Sequence, residues 1–433
     1  MTPEELQSAI EWSTRINLEI YYWWAVGLMI AIHAGFLMYE MGASRVKNTL
    51  ASGCKNILAF AFIIPTMFMF GWWVYLAFPF GIIPNLEYGL YGEPWNEAMG
   101  PNLGDNASGV FWAAFTLFSA TTASIMSGAV IERIRMGAFI ILAVVLGSFV
   151  WLVAASWGWH PEGWLVTGFG YHDVGAAGVV HMISGFFALG VLINLGPRIG
   201  KFGPNGEINN LQGHSTPMTI AGLMVIIIGF FGFLGACLLY NGTGQWVNIY
   251  GGPTTLSSFA FNTLMGFAGG IIGAYAVTRD PFWMMSGALG GIFAAAAGLD
   301  LYYPPVAFGL GFLGGVIIPY GQRFLESRGI DDAVGAVSVH GFCGILGVMA
   351  CGVLLHGYPP VSESIPGITI QGQAIGCVVM FLLGFLPGYV VSWILKMFGI
   401  LRASDELQEL GMDMEIPSPA YPEEITSRMH WHG

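Results

Sequence analysis

Two short stretches decide the fold: Val179-Val180-His181-Met182-Ile183-Ser184-Gly185 and Ser338-Val339-His340-Gly341-Phe342-Cys343-Gly344. Each carries Val-His-x-x-x-Gly, and each lies inside an apolar run long enough to cross a bilayer. An ionisable side chain at such depth costs about 2.5–3.5 kcal/mol when charged, so it is retained for a function by default. Working outward, apolar runs of roughly 20 residues, the length a bilayer demands, fall near 18–41, 54–78, 108–131, 136–157, 173–196, 215–239, 254–278, 281–299, 302–321, 333–355 and 368–398. His181 then sits a third of the way into the fifth run and His340 equally deep in the tenth. The two stretches are one element repeated in two halves of five spans each. An odd repeat length inverts the second half against the first, and inverted repeats bring equivalent residues together near the midplane. The two imidazoles are therefore expected to face each other across one pore.

Composition supports a membrane chain. Of 433 residues, 55% are hydrophobic and only 9% charged, against about 25% charged in soluble domains. The 63 glycines suit membrane helices, where small residues let backbones approach. The expected organisation is an extracytoplasmic segment 1–17, an eleven-helix domain 18–398 and a tail 399–433 in the cytoplasm. Charge gives an independent check on the count. With eleven spans, thirteen of the fourteen Lys and Arg fall on one side, Arg15 being the exception. The opposite loops carry Glu87, Glu93, Glu97, Asp105 and Glu162. The positive-inside rule then places the C-terminus in the cytoplasm and the N-terminus outside.

Other function classes find little footing. The net charge of −12 argues against nucleic-acid binding. Cys54, Cys237, Cys343, Cys351 and Cys377 show no paired spacing and are read as small buried hydrophobes. Two histidines without a neighbouring Cys or supporting Asp make a poor zinc site, and no cofactor is expected. No Ser/His/Asp set, His-Glu-x-x-His or phosphate loop points to an enzyme. The N-terminus lacks the basic region of a secretory signal. His33, without a repeat partner, is assigned to packing or to a vestibule.

The motifs resemble those of the ammonium transporter (Amt/Mep/Rh) family. Gly35-Phe-Leu-Met-Tyr-Glu40-Met-Gly42-Ala-Ser-Arg45-Val-Lys47-Asn48 is similar to its Gly-Phe-x-x-x-Glu-x-Gly-x-x-Arg-x-Lys-Asn. Ser127-Gly-Ala-Val-Ile-Glu132-Arg133-Ile-Arg135 resembles its Ser-Gly-Ala-x-x-Glu-Arg-x-Arg. Asp173, eight residues before His181, resembles the fifth-span signature, and Asp331-Asp332 followed by Val339-His340-Gly341 resembles the tenth. The resemblance implies an all-α polytopic channel, two inverted five-helix repeats plus a final helix, assembled as a homotrimer with one pore per subunit. It implies that His181 and His340 are twin pore histidines, Phe118 and Phe233 the gate, and Asp173 the aspartate that shapes the outer site. Ammonium would be held by aromatic faces, worth about 0.5–2 kcal/mol, and lose a proton before ammonia passes the gate.

Departures from the pattern are specific. Cys237 stands where the outer-site serine is expected, and Leu234 where an Asn usually follows the gate Phe. The outer Trp is replaced by Trp157-Gly-Trp159-His160-Pro-Glu162-Gly163, in which either Trp157 or Trp159 supplies the aromatic face or Glu162 a charge. The aspartate expected before the second histidine reads Gly335. The tail has Ile416-Pro-Ser-Pro419 in place of a His-Gly pair, which weakens, without removing, the expectation from the resemblance of a PII-type regulator at the C-terminal tail. Two alternatives follow, a receptor that binds ammonium without carrying it and a conduit for another small neutral molecule. A receptor would need a partner on the tail, since residues 399–433 leave no room for a kinase or cyclase domain.

Overall fold

The computed structural model describes residues 2–86, 107–240, 245–358, 362 and 364–420. Glu87, Glu93, Glu97 and Asp105 of the acidic loop, and Arg428 of the tail, lie outside the described residues. Among the described residues ten helices are long and apolar enough to cross a membrane. They are α1 (Pro3–Ala43), α2 (Val46–Gly71), α3 (Gly109–Ala129), α4 (Met136–Gly158), α5 (Ala177–Leu195), α6 (Thr216–Gly235), α7 (Leu256–Val277), α9 (Pro304–Ser327), α10 (Val337–Leu354) and α11 (Ile370–Met397). Between α7 and α9 lies α8 (Pro281–Ala296), apolar but only 16 residues long. At 1.5 Å per residue it rises about 24 Å, short of the roughly 30 Å hydrocarbon layer. Asp280 fixes its start, accepting from Phe282 N with Pro281 in the first turn. Every residue of α8 from Ser286 to Ala296 is buried, so most of its length has no lipid face and lies inside the bundle.

Helix α1 starts well before the expected residue 18. Thr2 and Glu5 form a capping box, and the 41-residue helix runs unbroken from Pro3. That is about 60 Å by helical rise, twice the hydrocarbon thickness. The segment 1–17 is therefore mostly a helical extension of α1, exposing Leu6, Ile10, Trp12 and Ile16.

The two halves meet where α1, first of its five, packs along α6, first of the second five. A side chain at Gly35 of α1 would meet Ile226 N at 2.7 Å, and one at Gly229 of α6 would meet Ile32 N at 2.7 Å. Close backbone approach at small residues is how membrane helices gain packing energy when lipid offers no hydrophobic drive. Helix α11 closes the bundle against α5.

The loops that carry the basic residues meet at one end. Arg45 pairs with Glu132 (Nη2 to Oε2 2.6 Å), joining the loops after α1 and α3. Arg198 donates to both oxygens of Asp331, each at 2.9 Å, joining those after α5 and α9. Arg133 reaches Gly196 O at 2.9 Å. Burial alone would raise the Asp331 carboxyl, but Arg133 and Arg198 hold it well below the usual carboxylate range. The start of the tail is stitched onto the same end. Ala403 N donates to Arg133 O (2.9 Å) and Met412 N to Asn48 Oδ1 (2.8 Å). Asp413 accepts from Leu50 N and Ala51 N at 3.1 and 2.8 Å, placing an anion on the exposed amides of a helix start. Charge asymmetry read along the chain thus corresponds to one physical face.

Candidate functional site

A single backbone device positions each histidine. Asp173 Oδ2 accepts from Gly178 N (2.8 Å) and Val179 N (2.9 Å). Ala176 turns left-handed at φ 70°, and a π-helical turn, Ala177–Met182, carries His181. In the second half Asp332 accepts from Gly335 N (3.0 Å) and Val337 N (2.7 Å). Gly335 is left-handed at φ 76°, and a π-helical turn, Val337–Phe342, carries His340. Asp173 to Asp332, Ala176 to Gly335 and His181 to His340 are each separated by the same 159 positions. The expectation that the second aspartate had become Gly335 is therefore corrected. Asp332 does its work, and Gly335 occupies the left-handed position. The repeated motif glycines mark where the two elements cross. A Cβ on Gly185 would lie 2.8 Å from Gly341 Cα, and one on Gly344 would lie 2.6 Å from Ala177 O.

The crossing brings the imidazoles into contact, Nδ1 to Nδ1 at 3.1 Å. A neutral imidazole has one N–H and one lone pair, so one ring donates and the other accepts. His181 is fully buried, and its Nε2 has no partner among the described residues. Phe293 of α8 stacks on both rings, at 3.5 Å from His181 and 4.6 Å from His340 between centroids. Phe230 completes this wall, 6.0 Å from His181.

On the side away from the basic end, Phe118 and Phe233 meet edge to face at 4.4 Å, and Phe233 lies 6.0 Å from His181. Trp159 packs on Phe118 at 5.0 Å and donates from Nε1 to Asp173 O at 2.7 Å. Trp151 stacks on Phe118 at 6.4 Å and adjoins Trp159 at 6.3 Å. Of the two tryptophans left open by the sequence, Trp159 is the one beside the phenylalanine pair. Trp157 packs against Trp164 and donates to Phe78 O at 3.0 Å. Glu162 is exposed. Asp173 lies behind the aromatic layer, its Oδ2 occupied by backbone amides and the Tyr171 hydroxyl. Cys237 is buried, its Sγ directed at Phe233 O at 3.6 Å, a weak bond within its own helix turn. His33 contacts Ser124 Oγ at 3.3 Å and the Phe60 ring at 4.9 Å, away from the histidine pair.

On the basic side of His340 a cavity of about 20 Å³ is bounded by Phe36, Tyr39, Glu40, Leu289, Val334 and His340 among others. Sequence reasoning had met Glu40 only as a letter in a motif, and had not found Phe293, Phe230 or Trp151. The eight-residue spacing of Asp332 from His340, the same as Asp173 from His181, was the signal in the sequence by which the second aspartate could have been found.

Comparison with known proteins identifies the family. Residues 20–420 match the family model described as Ammonium Transporter Family. Ammonium transporter Amt2 of Archaeoglobus fulgidus is 30% identical, over 94% of this chain and 89% of the relative. Ammonium transporter Amt1 of Methanocaldococcus jannaschii is 29% identical, over 93% of this chain and 97% of the relative. Among solved structures, a sensor Amt protein superposes with a TM-score of 0.81 at 25% identity, covering 94% of this chain and 100% of that one. The Nitrosomonas europaea Rh50 channel shares the fold, with a TM-score of 0.67 at 20% identity over 97% of each chain. The chain belongs to the ammonium transporter family.

Proposed function

We propose that the protein carries ammonium-derived nitrogen across the cell membrane. Ammonium loses a proton at an outer site, and ammonia crosses past the twin histidines. The positive-inside rule places the basic end in the cytoplasm, so Trp159, Phe118 and Phe233 form the outer approach. A cation meets aromatic faces there, attractive by about 0.5–2 kcal/mol. Beyond them the path is closed by Phe118 against Phe233, and a full charge among buried rings is costly. Ammonia is small, uncharged and able to bond the imidazoles. The observation that carries this reading is the direct Nδ1 to Nδ1 contact of two buried histidines from corresponding helices, immediately behind that gate. Asp173 acts by holding the start of α5 and the Trp159 ring rather than by touching the ion. Cys237 contributes bulk at the outer site and little hydrogen bonding. By family resemblance the working unit is a homotrimer, and the tail face is where a PII-type regulator would dock.

The test is solid-supported-membrane electrophysiology on purified protein in liposomes, with an entrapped pH dye as second readout. An ammonium jump is expected to give a saturable signal in the wild type that is lost, or becomes potassium-permeable, in His181→Ala/His340→Ala. Wild-type signals in the double variant would sink the pore assignment. The structural likeness to a sensor Amt protein favours one second reading, a receptor that binds ammonium without passing it. Silence in both assays, with ammonium binding retained, would select it.

A further inference from the structure

We infer that Glu40 is the inner proton acceptor of the conduction path, taking the proton that leaves His340 and returning it to ammonia on the cytoplasmic side. This rests on the transport reading above and goes beyond it. Glu40 is fully buried in α1. Its carboxylate accepts from Ser127 Oγ, both oxygens lying 2.5 Å away. It borders the same cavity of about 20 Å³ as His340. A cavity of roughly 10–15 Å³ or more holds one water, so there is room for a single bridging molecule between imidazole and carboxylate. The remaining wall is largely apolar, with Phe36, Leu289, Val334 and Val339 prominent. Tyr39 is the other ionisable side chain on it, and its hydroxyl is directed at Val334 O at 3.4 Å. Lys55 stands behind the same serine, its Nζ 3.3 Å from Ser127 O, and is not part of the cavity wall.

The bookkeeping of protons closes. Take the tautomer in which His181 donates from Nδ1 and His340 accepts. The free lone pair is then on His181 Nε2, which has no partner among the described residues, and His340 carries its N–H on Nε2. A proton entering at His181 Nε2 displaces the Nδ1 proton onto His340 Nδ1, and the His340 Nε2 proton leaves into the inner cavity. A water there accepts it and gives one of its own to the Glu40 carboxylate. The resulting carboxylic acid protonates ammonia, regenerating ammonium and the carboxylate.

The experiment compares wild type, E40Q and E40D in liposomes, reading ammonium-driven current and internal pH change together. E40Q keeps the shape and can still bond Ser127. It is expected to lower the current at least tenfold while neutral ammonia entry, seen by the dye, stays within twofold. E40D is expected to recover part of the current. Unchanged current in E40Q overturns the inference, as does equal loss of current and neutral entry, which would mark a structural role. If Glu40 served only to balance Lys55, K55M/E40Q would regain current, and that result also overturns it. Should E40Q not assemble, S127A removes only the hydroxyl that holds the carboxylate. A current lowered at least threefold with neutral entry retained then supports the inference, and an unchanged current overturns it. A wild type with ammonia entry but no current overturns the inference while leaving the pore reading intact. Silence of the wild type in both readouts removes the transport reading and the inference with it.

Discussion

The two histidine-bearing elements share a backbone and differ in their surroundings. In both, an aspartate clamps the first amides, a left-handed residue turns the chain, and a π-helical turn sets the imidazole. Yet the way to His181 is walled by Trp159, Phe118 and Phe233, whereas His340 opens onto a largely apolar pocket holding one carboxylate. Symmetry of the main chain places the pair, and asymmetry of the side chains distinguishes its two faces. A duplicated fold can thus keep its geometry fixed while the two mouths specialise.

The sharpest challenge to the shared backbone is to remove the clamps. Hydrogen bonds to charged groups are worth about 1.5–3 kcal/mol each, and each aspartate makes at least two to buried amides. Asp173→Ala and Asp332→Ala should each cost roughly 3–5 kcal/mol, seen as a large fall in the thermal unfolding temperature in detergent. A large loss for one and none for the other would break the equivalence. Next in size is the equivalence of the rings. His181→Ala and His340→Ala as single variants should each reduce ammonium-driven current about a hundredfold, the lower range for a positioned proton-transfer group, without lowering thermal stability by much. A residue whose loss left the current intact would have to be dropped from the relay.

The left-handed position offers a smaller, oppositely signed pair. A non-glycine residue there costs about 1–2 kcal/mol, so Ala176→Gly should stabilise by several tenths to about 1 kcal/mol. Gly335→Ala should destabilise by at least that much, because its Cβ would also lie 2.7 Å from the Trp283 ring. Chemical denaturation of both variants checks the signs. The smallest effect concerns acid. The Asp331 carboxyl titrates below its unfolded value because Arg133 and Arg198 face it despite burial, which alone would raise it. Its contribution is fully present above the unfolded value near pH 4 and is lost as pH falls through the lower folded value. Melting should therefore be flat from about pH 8 to pH 5 on account of this group and decline only in stronger acid. A decline already complete at pH 5 would contradict the ion pairing.

Much of the fold was legible because membrane helices announce themselves by length and apolarity, and because loop charge follows one face. The histidines were legible because the motif is repeated. The second aspartate was missed by looking only a few residues upstream of His340, when the informative distance was the eight residues already seen at Asp173. Phe293 was hidden by abundance: in a chain with 31 phenylalanines no periodicity singles out the one that stacks on both imidazoles. The choice between Trp157 and Trp159 turned on where α4 ends, a matter of one helical turn that spacing alone does not fix. Glu40 was invisible as chemistry because its meaning lies in what faces it across a small cavity.

The Nδ1 to Nδ1 contact at 3.1 Å has room for one hydrogen between two nitrogens, and in the proton relay inferred above this makes the pair a turnstile. After each proton passes from His181 to His340 the bond between the rings points the other way, and the entry nitrogen is occupied. Nothing further enters until each ring exchanges its N–H between its two nitrogens, because a simple return of that hydrogen would carry the proton back outward. Traffic through such a gate is counted one by one, and under a steep ammonium gradient the pace of the cycle is set by the time the two rings take to reset.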